Sequence, residues 1–233
     1  MRMKVAVIVG VICMAGATAF AALSKDEVKR LNESITILQD LRATPEKGIP
    51  EDLWTKAQCV LVIPSLKKAA LGIGGEYGSG VMSCRRANSW TPPVFMQLAK
   101  GSWGLQIGAQ SIDLVLLVMN KRGVDKLLDD KVSLGADASV AAGPVGRSAN
   151  AATDAQMSAE MLAYSRSQGL FAGVDVSGGV LHPDKDADAR GYGPNVTPRD
   201  LVEGTSQKIV VPTAARAFVT SLEREVRATT GRK

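Results

Sequence analysis

A row of glycines at alternate positions is the feature that most constrains this chain. Residues 71–81 read L-G-I-G-G-E-Y-G-S-G-V, and the even positions hold Gly72, Gly74, Gly78 and Gly80. Successive residues of a β-strand point to opposite faces, so the pattern predicts a strand with one face almost bare of side chains. Glycine weakens a strand interior, because it packs nothing and loses more conformational entropy on folding. The pattern therefore predicts a close neighbour on that face: another backbone, a strongly curved sheet or a ligand.

Apolar residues alternate with small or polar ones in three later segments as well. These segments are 101–110, 132–140 and 173–180, and we predict a strand at each. Apolar residues recur at helical spacing in two segments, one near each end of the chain. A capping box at Ser24 to Glu27 opens a helix that runs to about Arg42, and a last helix is predicted from Thr213 to Thr229. The expected fold class is α+β: a curved, mainly antiparallel, glycine-rich sheet flanked by N- and C-terminal helices.

The leading helix has an alternative interpretation, and one later segment is predicted to lie at the surface. The leading helix is expected to cover the sheet, and the alternative is a helix that lies in a membrane interface. Residues 182–198 are rich in aspartate, glycine and proline, and we predict a surface excursion there.

Residues for the common catalytic sites are scarce. The chain has one histidine, His182, and no G-x-S-x-G nucleophile motif. Asp137 and Asp175 are expected on polar strand faces and not in an acid/base pair. The alternating Asp184, Asp186 and Asp188 leave a calcium site open, although the glycine and final glutamate of an EF-hand are missing. We expect a protein that is not an enzyme and that has no cofactor or metal, with a hydrolase as the least favoured alternative.

The N-terminus has the pattern of an export signal. Two basic residues, Arg2 and Lys4, precede an apolar run that ends in Ala19-Phe20-Ala21. This predicts a cleaved signal peptide at 1–21 and a single domain at 22–233, in the periplasm or secreted; an uncleaved membrane anchor is the alternative. The formal charge is +5, and +3 without those two residues, which weakly favours an anionic partner. Aromatic residues make up only 4% of the chain, so no nucleic acid partner is expected.

Export would make the two cysteines beyond the signal a candidate disulfide. Cys59 opens the predicted strand C-V-L-V-I, and Cys84 closes the glycine strand. A reversal of the chain around residues 64–70 would bring the two side by side. The alternative is a pair of buried thiols.

Six ordered motifs together resemble one family. They are C-V-L-V-I-P from Cys59, G-I-G-G-E-Y-G-S-G-V from Gly72, W-G-L-Q-I-G-A-Q from Trp103, D-L-V-L-L-V-M-N from Asp113, L-G-A-D-A-S-V-A-A-G-P-V-G from Leu134 and Y-S-R-S-Q-G-L-F-A-G-V from Tyr164. In order and spacing they resemble the SYLF lipid-binding domain family. The resemblance implies a phospholipid-binding domain. Phosphoinositide binding and actin regulation belong to eukaryotic members that also carry SH3 domains, so the actin role is not expected of this chain.

Basic doublets supply candidate contacts for an anionic lipid or membrane surface. Lys67-Lys68, Arg85-Arg86 and Lys121-Arg122 each follow a predicted strand. If the first two strands are antiparallel neighbours, the first two doublets lie at opposite ends and cannot form one patch. We expect an exported, non-enzymatic phospholipid-binding protein of the cell envelope that uses Lys67 and Lys68, with Arg85 and Arg86 as the second choice. The alternative is an envelope structural or protein-interaction module without specific lipid recognition.

Overall fold

The computed structural model describes residues 22–43, 48–87, 89–145, 156, 158–167, 170–204 and 208–230. The predicted signal peptide lies outside these residues. The helices are α1 (Lys25–Ala43), α2 (Glu51–Lys56), α3 (Lys121–Leu127), α4 (Lys185–Tyr192), α5 (Pro198–Glu203) and α6 (Thr213–Thr230). The strands are β1 (Cys59–Arg86), β2 (Ser89–Trp90), β3 (Val94–Val118), β4 (Val132–Ser133), β5 (Val140–Ala142), β6 (Met161–Ser167), β7 (Leu170–Gly173) and β8 (Gly179–Pro183).

One curled sheet holds all eight of these strands. Its main order is β2-β1-β3-β6-β5, with β7 on β6 and with β8 pairing both β3 and β4. Every pair is antiparallel except β5 with β6. Helices α1 and α6 pack together at the N- and C-terminal ends of the chain. The predicted α+β fold, with its curved and mainly antiparallel sheet, is confirmed.

The long strands β1 and β3 form a two-stranded ladder, here called the folded ribbon. The ladder runs from the pair Cys59 and Val118 to the pair Met82 and Val94. Cys59 and Cys84 are separated by 25 positions, and a straight strand over that separation would extend about 80 Å. The two cysteines are nevertheless joined by a disulfide, with their Cα atoms 3.9 Å apart. Strand β1 therefore turns back on itself, and the pairing expected from the sequence is present in the structure.

Two glycines permit this close return of β1. A Cβ atom added to Gly80 would lie 2.3 Å from the carbonyl oxygen of Val62 and 2.6 Å from Cγ1 of Ile63. At Gly78 it would lie 2.6 Å from Cγ2 of Ile63. The close neighbour predicted for the glycine face is thus the backbone of β1 itself. The two halves of β1 pack against each other and both pair with β3, whereas a simple hairpin would have paired them with each other.

A polar brace holds a β-bulge in the first half of β1. The fold-back itself is centred near the second register shift of the ladder, between Leu71 and Ile73. The ladder shifts register between Ile63 and Leu66, and Ser65 has a φ of 51°. The Ser65 amide donates to Oδ1 of Asp113 at 3.0 Å, and Arg166 pairs with Oδ2 of the same carboxylate at 3.2 Å. Arg166 also pairs with Asp40 of α1 at 2.6 Å. The brace therefore ties the bulge to both β6 and α1.

The terminal helices cover the sheet, as the sequence predicts. Leu31 and Leu38 of α1 are buried, and so are Phe218 and Leu222 of α6. The capping contact at the start of α1 forms between Ser24 and Glu27. Because the apolar face of α1 lies in the core, an interfacial role would require the helix to detach. None of the described helices has the length and apolarity needed to cross a bilayer.

Two of the predicted strands are wrong. Residues 132–140 form short β4, a turn with Gly135 at φ 88° and then β5. Residues 173–180 contain a turn with Gly178 at φ 80° between β7 and β8. In each turn an aspartate caps the backbone. Asp137 accepts from the Ser133 amide and Asp175 from the Ser177 amide, both at 2.8 Å, and such local bonds compete with the strand ladder.

The predicted surface excursion at 182–198 is also wrong, because it contains α4 and a buried carboxyl group. Asp184 caps α4 and pairs with Arg30 of α1 at 3.1 Å. Asp188 is 1% exposed, and its Oδ1 accepts from the Phe95 amide at 2.9 Å. Burial raises the pKa of Asp188 to about 8, with a further contribution from the negative charge of Asp184. These aspartates therefore connect α4 to α1 and β3.

Candidate functional site

The basic doublets of β1 lie at separate places on the folded ribbon. The lysine end, Lys67 and Lys68, lies just beyond the bulge and pairs with Ser111 and Gln110 of β3. The arginine end, Arg85 and Arg86, closes β1 and pairs with β2. Different described residues line the clefts beside the two ends. The prediction that these doublets do not form one patch holds, although Lys67 and Lys68 lie within a strand and not at its end.

The lysine end is partly neutralised by acidic side chains. Nζ of Lys68 lies 3.1 Å from a carboxylate oxygen of Glu76. Lys67 is exposed and has no ion pair among the described residues. It lines an open cleft of about 330 Å³ whose lining also includes Lys29, Asp26 and Glu33. Positive and negative charges are therefore mixed around Lys67.

The arginine end contains one fixed and one exposed guanidinium. Arg85 donates from Nε to the carbonyl of Ala57 at 3.3 Å and from Nη2 to the carbonyl of Trp54 at 3.2 Å. Its guanidinium lies 4.7 Å from the ring centroid of Trp90. Arg86 is exposed, and its guanidinium lies against Gly204. Arg85 thus fastens the end of α2 to β1, while Arg86 remains accessible.

Both residues of the third doublet, Lys121 and Arg122, form ion pairs with acidic side chains. Lys121 pairs with Asp125 at 3.0 Å, and Arg122 pairs with the buried Glu160 at 3.3 Å. Lys126 also contacts Glu160, at 2.8 Å. Burial alone would raise the pKa of Glu160, but hydrogen bonds from Lys126 and Ser139 bring it below its ordinary value. Glu160 is therefore an ionised anchor, and this cluster is a poor candidate for binding an anion.

The motif that begins at Tyr164 serves the fold. Tyr164 is fully buried, and a Cβ at Gly143 would lie 2.0 Å from its ring. Arg166 braces the bulge in β1, and Phe171 is buried. Sequence reasoning missed Lys56 and Gln58, which approach the arginine end from α2 and the following link. Lys56 stands alone in the last turn of a short helix, so no doublet pattern marks it.

Comparison with known proteins identifies the family. Residues 99–225 match the model of the family described as Ysc84, Las17-binding protein actin regulator. An SH3 domain-containing protein of Schizosaccharomyces pombe, PJ696.02, is 33% identical over 197 residues, which are 82% of this chain and 45% of that protein. Protein YSC84 of Saccharomyces cerevisiae is 33% identical over 182 residues, 76% of this chain and 38% of that protein.

The chain belongs to the Ysc84, or SYLF, family. A third relative, SH3 domain-containing YSC84-like protein 1 of Xenopus laevis, is 32% identical over 73% of this chain and 50% of that protein. The chain thus spans half or less of the length of these three Ysc84-family relatives. The Ysc84 family match begins at Ala99 in β3, so the lysine and arginine ends both precede it.

Proposed function

We propose that this chain is an exported, non-enzymatic protein of the cell envelope that binds anionic phospholipid through basic residues of the folded ribbon. The protein would be exported to the periplasm or secreted, and its signal peptide, residues 1–21, would be cleaved. Membership of the SYLF family supports phospholipid as the ligand. The observation that carries the proposal is that exposed Lys67 and Arg86 have no acidic partner in the described part of the chain.

A protein-interaction module is the second candidate. One relative, from Saccharomyces cerevisiae, is named LAS seventeen-binding protein 3, and its name states a protein partner. The bare glycine face would be a docking surface for such a partner. The Cβ positions of Gly78 and Gly80 are filled by Val62 and Ile63 of the same strand, so that part of the face is already occupied.

Charge reversal at each end tests the proposal. We would compare Lys67→Glu/Lys68→Glu with Arg86→Glu in sedimentation with anionic vesicles across a salt series. Arg85 is left intact because it supports α2. Each basic residue near an anionic surface contributes about 1 kcal/mol, so the doublet should weaken binding by about tenfold or more, most clearly at low salt. Unchanged binding in both variants, with both still folded, would exclude Lys67, Lys68 and Arg86 as the contact.

A further inference from the structure

An open cleft beside the arginine end combines cationic and apolar groups. Its volume is about 440 Å³, within the range of small-molecule sites. It lies between α2, the end of β1 and the adjoining ends of β3 and β6. The described lining includes the cations Lys56 and Arg85 and the apolar side chains of Leu53, Met119 and Leu162, and no carboxylate is among these lining residues. Lys56 also pairs with Asp52, one turn earlier in α2, at 3.9 Å, and both side chains of that pair are exposed to solvent, so the pair is weak.

Arg85 is held in position by the protein itself. A guanidinium has five N–H donors, and the carbonyls of Ala57 and Trp54 take one each. Trp90 packs against its face. Three donors remain, in the planar arrangement that suits two oxygens of a phosphate. Little ordering of this side chain would be needed when an anion binds.

The charge of Arg85 is not paired with an acidic side chain in the described part of the chain. Its hydrogen bonds go to backbone carbonyls, and the residue is only partly exposed. Partial burial lowers the pKa of Arg85, because the charged form is less well solvated there. A cation in this situation is stabilised by an external anion.

We propose that this cleft binds the phosphate group of an anionic phospholipid, with Arg85 as the bidentate donor and Lys56 as the second cation. The inference rests on the proposed lipid-binding function and adds a phosphate-binding cleft to the exposed cations Lys67 and Arg86. Leu53, Met119 and Leu162 give the carbon atoms next to the phosphate an apolar surface.

The test variant alters the cleft without touching Arg85, whose replacement would also remove donors to α2. Lys56 has a side chain that is 58% exposed, and Gln58 is exposed, so Lys56→Glu/Gln58→Glu should remain folded. Lys131→Glu/Gln39→Glu is the matched control, because it makes the same substitutions at exposed positions away from the cleft.

Binding would be followed by NMR on the full chain, using the Nε–Hε signal of Arg85 and the side-chain amide of Gln58. Dihexanoyl phosphatidylglycerol, kept monomeric, is the probe. We expect both signals to shift, and the dissociation constant to rise about tenfold or more in the cleft variant but not in the control. Inorganic phosphate and glycerol 3-phosphate should shift the same signals at higher concentration.

The possible failures are distinguishable. If the protein binds anionic vesicles while the Arg85 signal stays fixed, or if the cleft variant binds the short lipid normally, this inference is wrong and the proposed function stands. If neither vesicles nor the short lipid bind, the function fails and the inference falls with it. If inorganic phosphate binds as tightly as the lipid, the cleft is a free-phosphate site and the lipid assignment is overturned.

Discussion

Replacement of Gly80 by alanine tests whether β1 needs a bare face in order to fold back. The added Cβ would lie 2.3 Å from a backbone oxygen of Val62, well inside van der Waals contact. A backbone carbonyl within a ladder cannot rotate away as a side chain can, so the strand itself must move. Overpacking usually costs 1–3 kcal/mol, and we expect Gly80→Ala to lose about 3 kcal/mol of stability. For a domain of this size the melting temperature should fall by about 6–12 °C.

Gly75 provides the matched control in the same strand. A Cβ there would lie 3.7 Å from its nearest neighbour, the carbonyl oxygen of Lys100, which is an ordinary contact. Gly75→Ala should be neutral or stabilising by about 0.5 kcal/mol, because alanine loses less entropy than glycine on folding. Urea unfolding followed by circular dichroism would compare the two variants. If Gly80→Ala is as stable as Gly75→Ala, the close return of β1 is refuted.

Three further outcomes are expected. Because the pKa of Asp188 is raised to about 8, the folded state keeps a proton that the unfolded state releases. The free energy of unfolding should therefore fall by up to about 1.4 kcal/mol per pH unit as pH rises from about 4 to 8. Asp188→Asn should flatten that slope in urea titrations. Replacing Cys59 and Cys84 with serine should cost about 3 kcal/mol, and intact mass should rise by two hydrogens on reduction of the native protein. N-terminal sequencing of exported protein should begin near Ala22; recovery of residues 5–21 in a membrane fraction would contradict this.

Sequence reasoning succeeded where the pattern reflects a steric requirement. The glycines at 78 and 80 predicted a close neighbour, and the ends of two apolar segments predicted the Cys59–Cys84 pair. The identity of the neighbour required the structure. A single 28-residue strand that pairs with β3 on both sides of a bend gives the same local alternation as two separate strands.

Alternation misled the prediction where a short polar side chain could bond locally. Asp137 and Asp175 occupy polar positions of an alternating pattern, yet each caps a turn that breaks the strand. In 182–198, the aspartates, glycines and prolines predicted a loop, but Asp184 is the N-cap of a helix. Aspartate is common both in turns and at helix N-caps, so residue type alone did not reveal the helix. The cleft at Arg85 could not be predicted from the sequence, for another reason. Lys56, Arg85 and Leu162 are distant in sequence, and only the fold brings them together.

Flotation of the wild-type protein with vesicles tests the central claim most directly. Vesicles of phosphatidylcholine alone would be compared with vesicles that also contain phosphatidylglycerol, at low and at high salt. The account predicts that the protein floats with the anionic vesicles at low salt, and that zwitterionic vesicles float little protein. Flotation with the anionic vesicles should decline as salt shortens the Debye length from about 10 Å at 0.1 M to about 3 Å at 1 M. Equal flotation with both compositions, or none with either, would contradict it.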